Sequence, residues 1–494
     1  MSNYLLSKSS FVKSVQCLKA FHLYKYHYAA KDPLGKDKQA IFNRGTDVGI
    51  IAQQVFPGGT DVSPTSVKKY NEAVEKTKEL IAAGQETIYE AAFIFNEVLV
   101  AIDILVKNNN KWYAYEVKSS LKISPAYVLD ASLQYYVIKN CIPELEDVFL
   151  ATINGDYVFE GKLNVNALFK FCSIKKDATA NWTFIEDRIA KAKAIIENPK
   201  SPDISVGEHC FRPYKCDFFG TCWKNIPEKS VFLLSNVSIG KQVELYQAGI
   251  KTIDTISFYD DLPAITQKQI KSLQANKEII DKEKINLFLK HIHYPIGFFD
   301  VELYTPAIPV FANTKPYQQI PFLFSLHLLN SEKENLTHDF FYAQPGKDPR
   351  EEFIKACIKK LHHLKTIIVF DSNLELGVLN SLAKSFPQYA SDIEKIKSKI
   401  KDIAPVFTQM HYFHPNTIGS STLKNLFLKL FNDTSFEILS INSGTQATYI
   451  YNALQLEENE FLKLETEKNL VEYCKTDTFA TAKLFLHLKE VCKD

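Results

Sequence analysis

The sequence predicts a mixed α/β and α+β protein of several domains, and three observations carry that reading. The chain has 494 residues, more than one ordinary hydrophobic core organises. Strand-like runs cluster near residues 87–119 behind helical spacing, and a second set of strands with intervening helical spacing fills 291–494. Between them, 224–290 reads as helical. The expected division is 1–223, 224–290 and 291–494.

Composition narrows the class. Hydrophobic residues make up 46% of the chain and charged residues 23%, the balance of a soluble globular protein. No apolar run approaches a bilayer span, and MSNYLLSKSSFVKS lacks a signal core, so a cytoplasmic protein with no membrane partner is expected. A formal net charge of +1 gives no overall electrostatic case for nucleic acid. Any basic surface must be local, around Lys13, Lys19 and Lys25 or around Lys31, Lys36 and Lys38. Nine cysteines in such a chain are not expected to form a disulfide framework; Cys141, Cys172, Cys357 and Cys492 stand singly in apolar surroundings.

In the first section, residues 9–30 interleave aromatic, aliphatic and Lys positions at helical spacing. A helix over 44–59 is ended by Pro57-Gly58-Gly59, and a polar helix is expected over 64–83. TIYEAAFIF, VLVAIDILVK and WYAYEVKSS read as strands, the last two joined by an Asn-rich turn at 108–110. Helical spacing returns over 127–140, and DVFLATIN is another strand. Asp103 ends VLVAID, while Glu116 and Lys118 share a face of the next strand because side chains alternate with period two. Two carboxylates that meet across a hairpin bind a hard divalent cation, and an adjacent Lys stabilises developing phosphate charge. Such a Glu-x-Lys alone is more often a solvated face.

This Asp…Glu-x-Lys set resembles the signature of the PD-(D/E)XK nuclease superfamily. Glu90 in the preceding strand and Gln134 in the following helix are similar to accessory positions of its RecB-like branch. Where that branch has Tyr four residues after the Gln, this chain has Ile138, with Tyr135 and Tyr136 directly after Gln134.

Cys210, Cys216 and Cys222 fall at equal spacing in GEHCFRPYKCDFFGTCWKN, and Cys17 lies far upstream. Four thiolates suit either a four-iron cluster or a Cys₄ zinc site. The arrangement of one Cys before the nuclease core and three after it resembles iron–sulfur RecB-family nucleases, including CRISPR-associated exonucleases. That resemblance implies a [4Fe–4S] cluster on Cys17, Cys210, Cys216 and Cys222, with zinc as the alternative, closing a long loop around the core.

Residues 224–290, read as a short helix, a turn at Gly240, a second helix and Gly249, resemble a helix-hairpin-helix module; a plain helical linker is the commoner arrangement. In the third section IGFFDVELY, PFLFSLHLL, HDFFYAQ and TIIVFD read as strands, with helical spacing over 350–364, 374–385, 391–400, 420–431 and 464–491. That order suggests an RNase H-like sheet. Asp300 and Glu302 share one face of an apolar strand, and Tyr473 and Asp477 share a helix face. Together they resemble the DEDD exonucleases of the DnaQ-like group. The resemblance implies that Asp300, Glu302, Glu375 and Asp477 hold two divalent metals, Mg²⁺ or Mn²⁺, and that Tyr473 orients the attacking water. Asp371 stands where that group has Asn, and Asp402 and 419–426 fall in the region where its substrate contacts cluster.

As a whole the chain resembles predicted RecB-family nucleases fused to an exonuclease-like domain. The implied function is metal-dependent hydrolysis of DNA, single-stranded or with free ends, by a PD-(D/E)XK centre and a 3′–5′ exonuclease centre, with RNA left open as substrate. The competing readings are a nucleic-acid-binding scaffold with one or both centres inactive and a zinc-organised interaction protein.

Overall fold

The computed structural model describes residues 5–258 and 260–493. It is mixed α/β and divides into two compact units, Met1–Asn225 with Ala307–Tyr317, and Ile226–Pro306 with Gln318–Asp494. The helical stretch from Ile226 on therefore belongs to the second unit. No described helix is long and apolar enough to cross a membrane.

The first unit opens with helix α1 (Lys8–Gln16), which stops where Cys17 turns extended, at φ −163 and ψ 121. A second helix, Leu18–Tyr26, restarts at once, so the single helix expected over 9–30 is two, broken at the cysteine. The sheet is built on β1 (Thr87–Phe95), β2 (Val98–Asn108), β3 (Lys111–Lys118), β4 (Leu145–Ile153) and β5 (Phe169–Ser173), in that spatial order. The two-residue strands Thr60–Asp61 and Leu6–Ser7 pair with β1 and β2. Strands β1, β2 and β3 run antiparallel, whereas β3 and β4 are parallel. A parallel pair needs a crossover, and helix α2 (Pro125–Cys141) provides it, buried from Asp130 to Ile138. Ala131, Leu133, Val137 and Ile138 share one core with Ile102, Leu105 and Leu150 of the sheet.

The second unit carries a five-stranded sheet ordered β8–β7–β6–β9–β10, with β6 (Ile296–Tyr304), β7 (Ile320–Leu329), β8 (Thr337–Tyr342), β9 (Thr366–Val369) and β10 (Ile400–Asp402). The first three strands are antiparallel, and β6, β9 and β10 are parallel. Helix α3 (Asn373–Ser385) follows β9, α4 (Leu423–Phe431) follows β10, and α5 (Glu460–Val491) closes the chain. Asn459 caps α5 by accepting from Phe461 N and Leu462 N, which starts it four residues before the spacing suggested.

Both faces of β6 are buried. Phe299 and Val301 enter a core with Phe353 and Val378, while Phe298 enters another with Leu484, Phe485 and Leu488 of α5. Because strand side chains alternate, Asp300 and Glu302 emerge on the α5 face with Phe298.

Gly240 is not a turn between two helices as expected. It lies inside the single helix Ile239–Gln247, whose N-terminus is fixed by Ser238 accepting from Lys241 N. Gly249, at φ +91, is the turn residue that follows. Trp182–Glu197 and Gly444–Leu454 are two further helices, outside the spans that helical spacing marked.

Candidate functional site: two carboxylate centres and a sulfur loop

Asp103 interrupts the sheet around it. Ladder pairing of β1 and β2 passes from Tyr89–Ile104 to Ala91–Ile102, skipping Glu90, whose φ is +55. On the other side, Asp103 Oδ2 accepts from Val117 N at 2.5 Å, a place a backbone carbonyl would normally take. Glu116 is 2% exposed; its Oε1 accepts from Lys118 Nζ at 2.7 Å and from Lys8 Nζ at 2.8 Å. Lys118 also reaches Asp130 Oδ2 on α2 at 2.6 Å. Gln134 lies one helical turn beyond Asp130, wholly buried, with no partner for either amide atom.

Burial works to raise the Glu116 carboxyl, but Lys118 and Lys8 outweigh it and hold the group below the usual carboxylate range. Asp103 goes the other way: burial, then the Glu116 charge, lift it well above its ordinary value. Glu90 rises for the same two reasons. The centre thus gathers acids pushed in opposite directions, a condition found where a cation or proton is handled.

The cysteines named from sequence gather in the same unit. Cys216 is buried beside Phe218 and Ala20, with Cys17 and Cys222 packed against them. Cys210 O accepts from Cys216 N at 2.9 Å, and Cys216 Sγ accepts from Phe218 N at 3.5 Å. Burial raises the Cys216 thiol to about 11, with further upward pushes from Cys17, Cys210 and Cys222. Cys17 and Cys222 rise chiefly by burial as well. Phe219 stacks on Trp223 at 4.5 Å, with Phe211 edge-on to it, shielding the loop. All nine cysteines are free thiols.

In the second unit, ligand atoms of Asp300, Glu302 and Cys474 lie within 4.8 Å of one another, the one such set of three among the described residues. Cys474 Sγ donates to Asp300 Oδ2 at 3.3 Å. Glu302, Asp477 and Tyr473 are each less than a tenth exposed. Burial raises Asp300 to about 6. Glu302 and Asp477 stand well above the ordinary range through burial and the neighbouring carboxylates. Glu375, on the first turn of α3, is pushed up to about 9 by burial and then by Asp300, and its Oε2 has no hydrogen-bond partner. Lys424 of α4 lowers Asp300, Glu302 and Asp477 in turn. It donates to Tyr473 Oη at 3.0 Å and to Asn442 O at 2.7 Å, its ammonium 4.3 Å from the Tyr473 ring centre.

Asp371 and Asp402 are framework rather than site. Asp371 is an exposed turn residue at φ +67. Asp402 accepts from the backbone N of Asp371, Ser372 and Ala404 at 2.9–3.0 Å, fixing the turn from which α3 carries Glu375 inward.

Glu90, Asp103, Glu116 and Lys118 come together in the first unit, Asp300, Glu302, Glu375, Tyr473 and Asp477 in the second, and Cys17, Cys210, Cys216 and Cys222 in the sulfur loop. Lys8, Asp130 and Cys474 join them without having been expected, and Lys424 comes from the expected 419–426 segment. Asp130 had a signal, since it stands four residues before Gln134 on one helix face, and Cys474 adjoins Tyr473. Lys8 had none, being far in sequence from the acid it meets.

Residues 297–422 match a family model described as a domain of unknown function (DUF2779). The match contains Asp300, Glu302 and Glu375 and ends before Lys424, Tyr473 and Asp477. No curated protein matches the chain.

Proposed function

We propose that the chain is a metal-dependent nuclease that hydrolyses phosphodiester bonds at both carboxylate centres, acting on DNA that is single-stranded or has free ends. The observation that carries this reading is the convergence of Asp300, Glu302, Glu375 and Asp477 in one buried place, although 177 positions separate the first from the last. Uncompensated burial costs several kcal/mol per ionised carboxylate, so four acids gathered for structure alone would be a heavy liability. The strand order β8–β7–β6–β9–β10, antiparallel then parallel, supports an RNase H-like, DnaQ-like reading of this unit. The antiparallel β1–β2–β3 run and the helical crossover to parallel β4 support a restriction-endonuclease-like, PD-(D/E)XK reading of the other.

The donors fit hard divalent cations: carboxylate oxygens, with buried Glu116 Oε2 and Glu375 Oε2 free to accept. Mg²⁺ or Mn²⁺ bound there supplies an activated water and screens phosphate charge. Asp103, Glu116 and Glu90 would hold the ion in the first centre. Lys118, anchored between Glu116 and Asp130, places an ammonium beside the developing phosphate charge. Gln134, one helical turn from Asp130, offers an unsatisfied amide. In the second centre the four acids would hold the ions, and Tyr473, steadied by Lys424, would orient the attacking water for 3′–5′ removal of nucleotides.

The sulfur loop fits a metal group because four thiols, two of them buried and two half-buried, lie near one another with an N–H already on Cys216 Sγ. Around one zinc ion, sulfurs sit about 3.8 Å apart given tetrahedral bonds of about 2.3 Å. The resemblance to iron–sulfur nucleases favours the [4Fe–4S] cluster over zinc. Anaerobically purified protein should be brown with iron and sulfide in equal amounts; a colourless protein with stoichiometric zinc would favour a zinc-organised protein.

The direct test is digestion of labelled single-stranded DNA, duplex DNA and RNA with Mg²⁺ or Mn²⁺, each centre inactivated in turn. If Asp103→Ala/Glu116→Ala and Asp300→Ala/Glu302→Ala both digest as well as wild type, the enzyme reading fails. The second reading, a nucleic-acid-binding scaffold, draws on the ion pairing that already neutralises Glu116. It requires tight DNA binding with no metal-dependent turnover.

A further inference from the structure

Two ammonium groups share Glu116 Oε1, and the resemblance that suggested Lys118 says nothing of the other. Lys8 donates at 2.8 Å and stands 3.8 Å from Asp130 Oδ2. The two lysines differ in access: 31% of the Lys8 side chain is open to solvent against 17% for Lys118. Lys118 alone already bridges Glu116 and Asp130, so a second ammonium is not needed to pair either acid.

Lys8 is also held in place from behind. It is the first residue of α1, fixed at that end by Ser7 and Ser10, each accepting from the other's backbone N. The far end of α1 is tied to the sulfur loop. Lys13 Nζ reaches Asp217 Oδ2 at 2.6 Å, Gln16 Nε2 donates to His209 O and Tyr214 O at 2.9 and 2.7 Å, and Cys17 follows directly. Phe11, wholly buried, pins the middle. Nine helical residues make a rod of about 13 Å, which sets the ammonium over Glu116.

We propose that Lys8 is a phosphate-binding residue of the first centre, the open member of a lysine pair that meets the backbone of the substrate strand. This rests on the nuclease reading of that centre. An ammonium in this position does two opposite things. It attracts a phosphate, and it repels a divalent cation approaching the same carboxylate.

The test uses the full chain with Glu302→Gln and Asp477→Asn silencing the second centre, comparing Lys8, Lys8→Ala and Lys8→Arg. Mn²⁺ binding is followed by titration calorimetry. Binding of an oligothymidylate is followed by fluorescence anisotropy across a salt series with Ca²⁺. Lys8→Ala should bind Mn²⁺ about tenfold more tightly. It should bind the oligonucleotide several-fold more weakly, with a salt slope smaller by about one phosphate contact. Lys8→Arg should behave as the parent in both. A purely structural Lys8 predicts that both affinities fall together in the Ala variant, and that result overturns the assignment, as does an unchanged salt slope. A parent protein that binds no Mn²⁺ overturns the nuclease reading of this centre and Lys8 with it, whereas normal Mn²⁺ binding that Lys8→Ala leaves unaltered overturns Lys8 alone.

Discussion

In the first unit the acids meet lysines; in the second they meet mainly one another. Glu116 is buried as deeply as Glu302, yet one sits below the ordinary carboxylate range and the other well above it. The difference is local company. Two ammoniums touch Glu116, whereas Glu302 has Asp300 and Asp477 beside it and only Lys424 in opposition. Burial alone therefore does not decide the charge of an acid. In the first centre one acid, Glu116, is held in its charged form by lysines while Asp103 and Glu90 are pushed up, whereas in the second Asp300, Glu302, Glu375 and Asp477 are all pushed up.

The comparison is tested most severely by activity. Lys118→Ala and Asp300→Ala should each remove one of two separable digestion activities, by roughly a thousandfold, measured on end-labelled and circular DNA. Loss of both activities in either variant would show that the centres do not act independently. Lys424→Met should slow only the second activity, by roughly 10- to 100-fold, because Tyr473 loses the group that orients it. An effect on both centres would contradict that local role.

Stability separates the centres further. Asp300 and Glu375, raised to about 6 and about 9, keep protons in the folded chain that the unfolded chain has already released. Folding stability in chelator should accordingly fall as pH rises from about 4 through 9, and added Mn²⁺ should restore more of it at the alkaline end. Glu375→Gln, which cannot ionise, should stabilise the metal-free protein at pH 8 by on the order of 2 kcal/mol in thermal unfolding. An unchanged melting profile would mean that solvent reaches Glu375. The smallest effect belongs to the framework: Asp402→Asn should cost about 1 kcal/mol by weakening its grip on the Asp371 turn, with the first activity intact.

Much of this was legible in the sequence where chemistry and period coincide. Asp300-Val301-Glu302 and Glu116-Val117-Lys118 announce their faces through strand alternation, and Tyr473 with Asp477 through one helical turn. The three late cysteines stand close enough to be seen as a group. What stayed hidden depends on tertiary approach. Nothing near Lys8 points to Glu116, 108 positions away, and nothing near Lys424 points to Tyr473. Helix ends moved where a cap or a bond decided them, at Cys17 and at Asn459, since spacing does not register such contacts.

The backbone at Glu90 carries a consequence for protein engineering. Its left-handed conformation in the middle of a strand suits glycine or asparagine and costs a glutamate about 1 kcal/mol. A screen for heat resistance should therefore select Glu90→Gly or Glu90→Asn, and the survivors would be sturdier molecules stripped of an acid beside Asp103. At that position, what the main chain prefers and what the proposed chemistry asks for point to different amino acids.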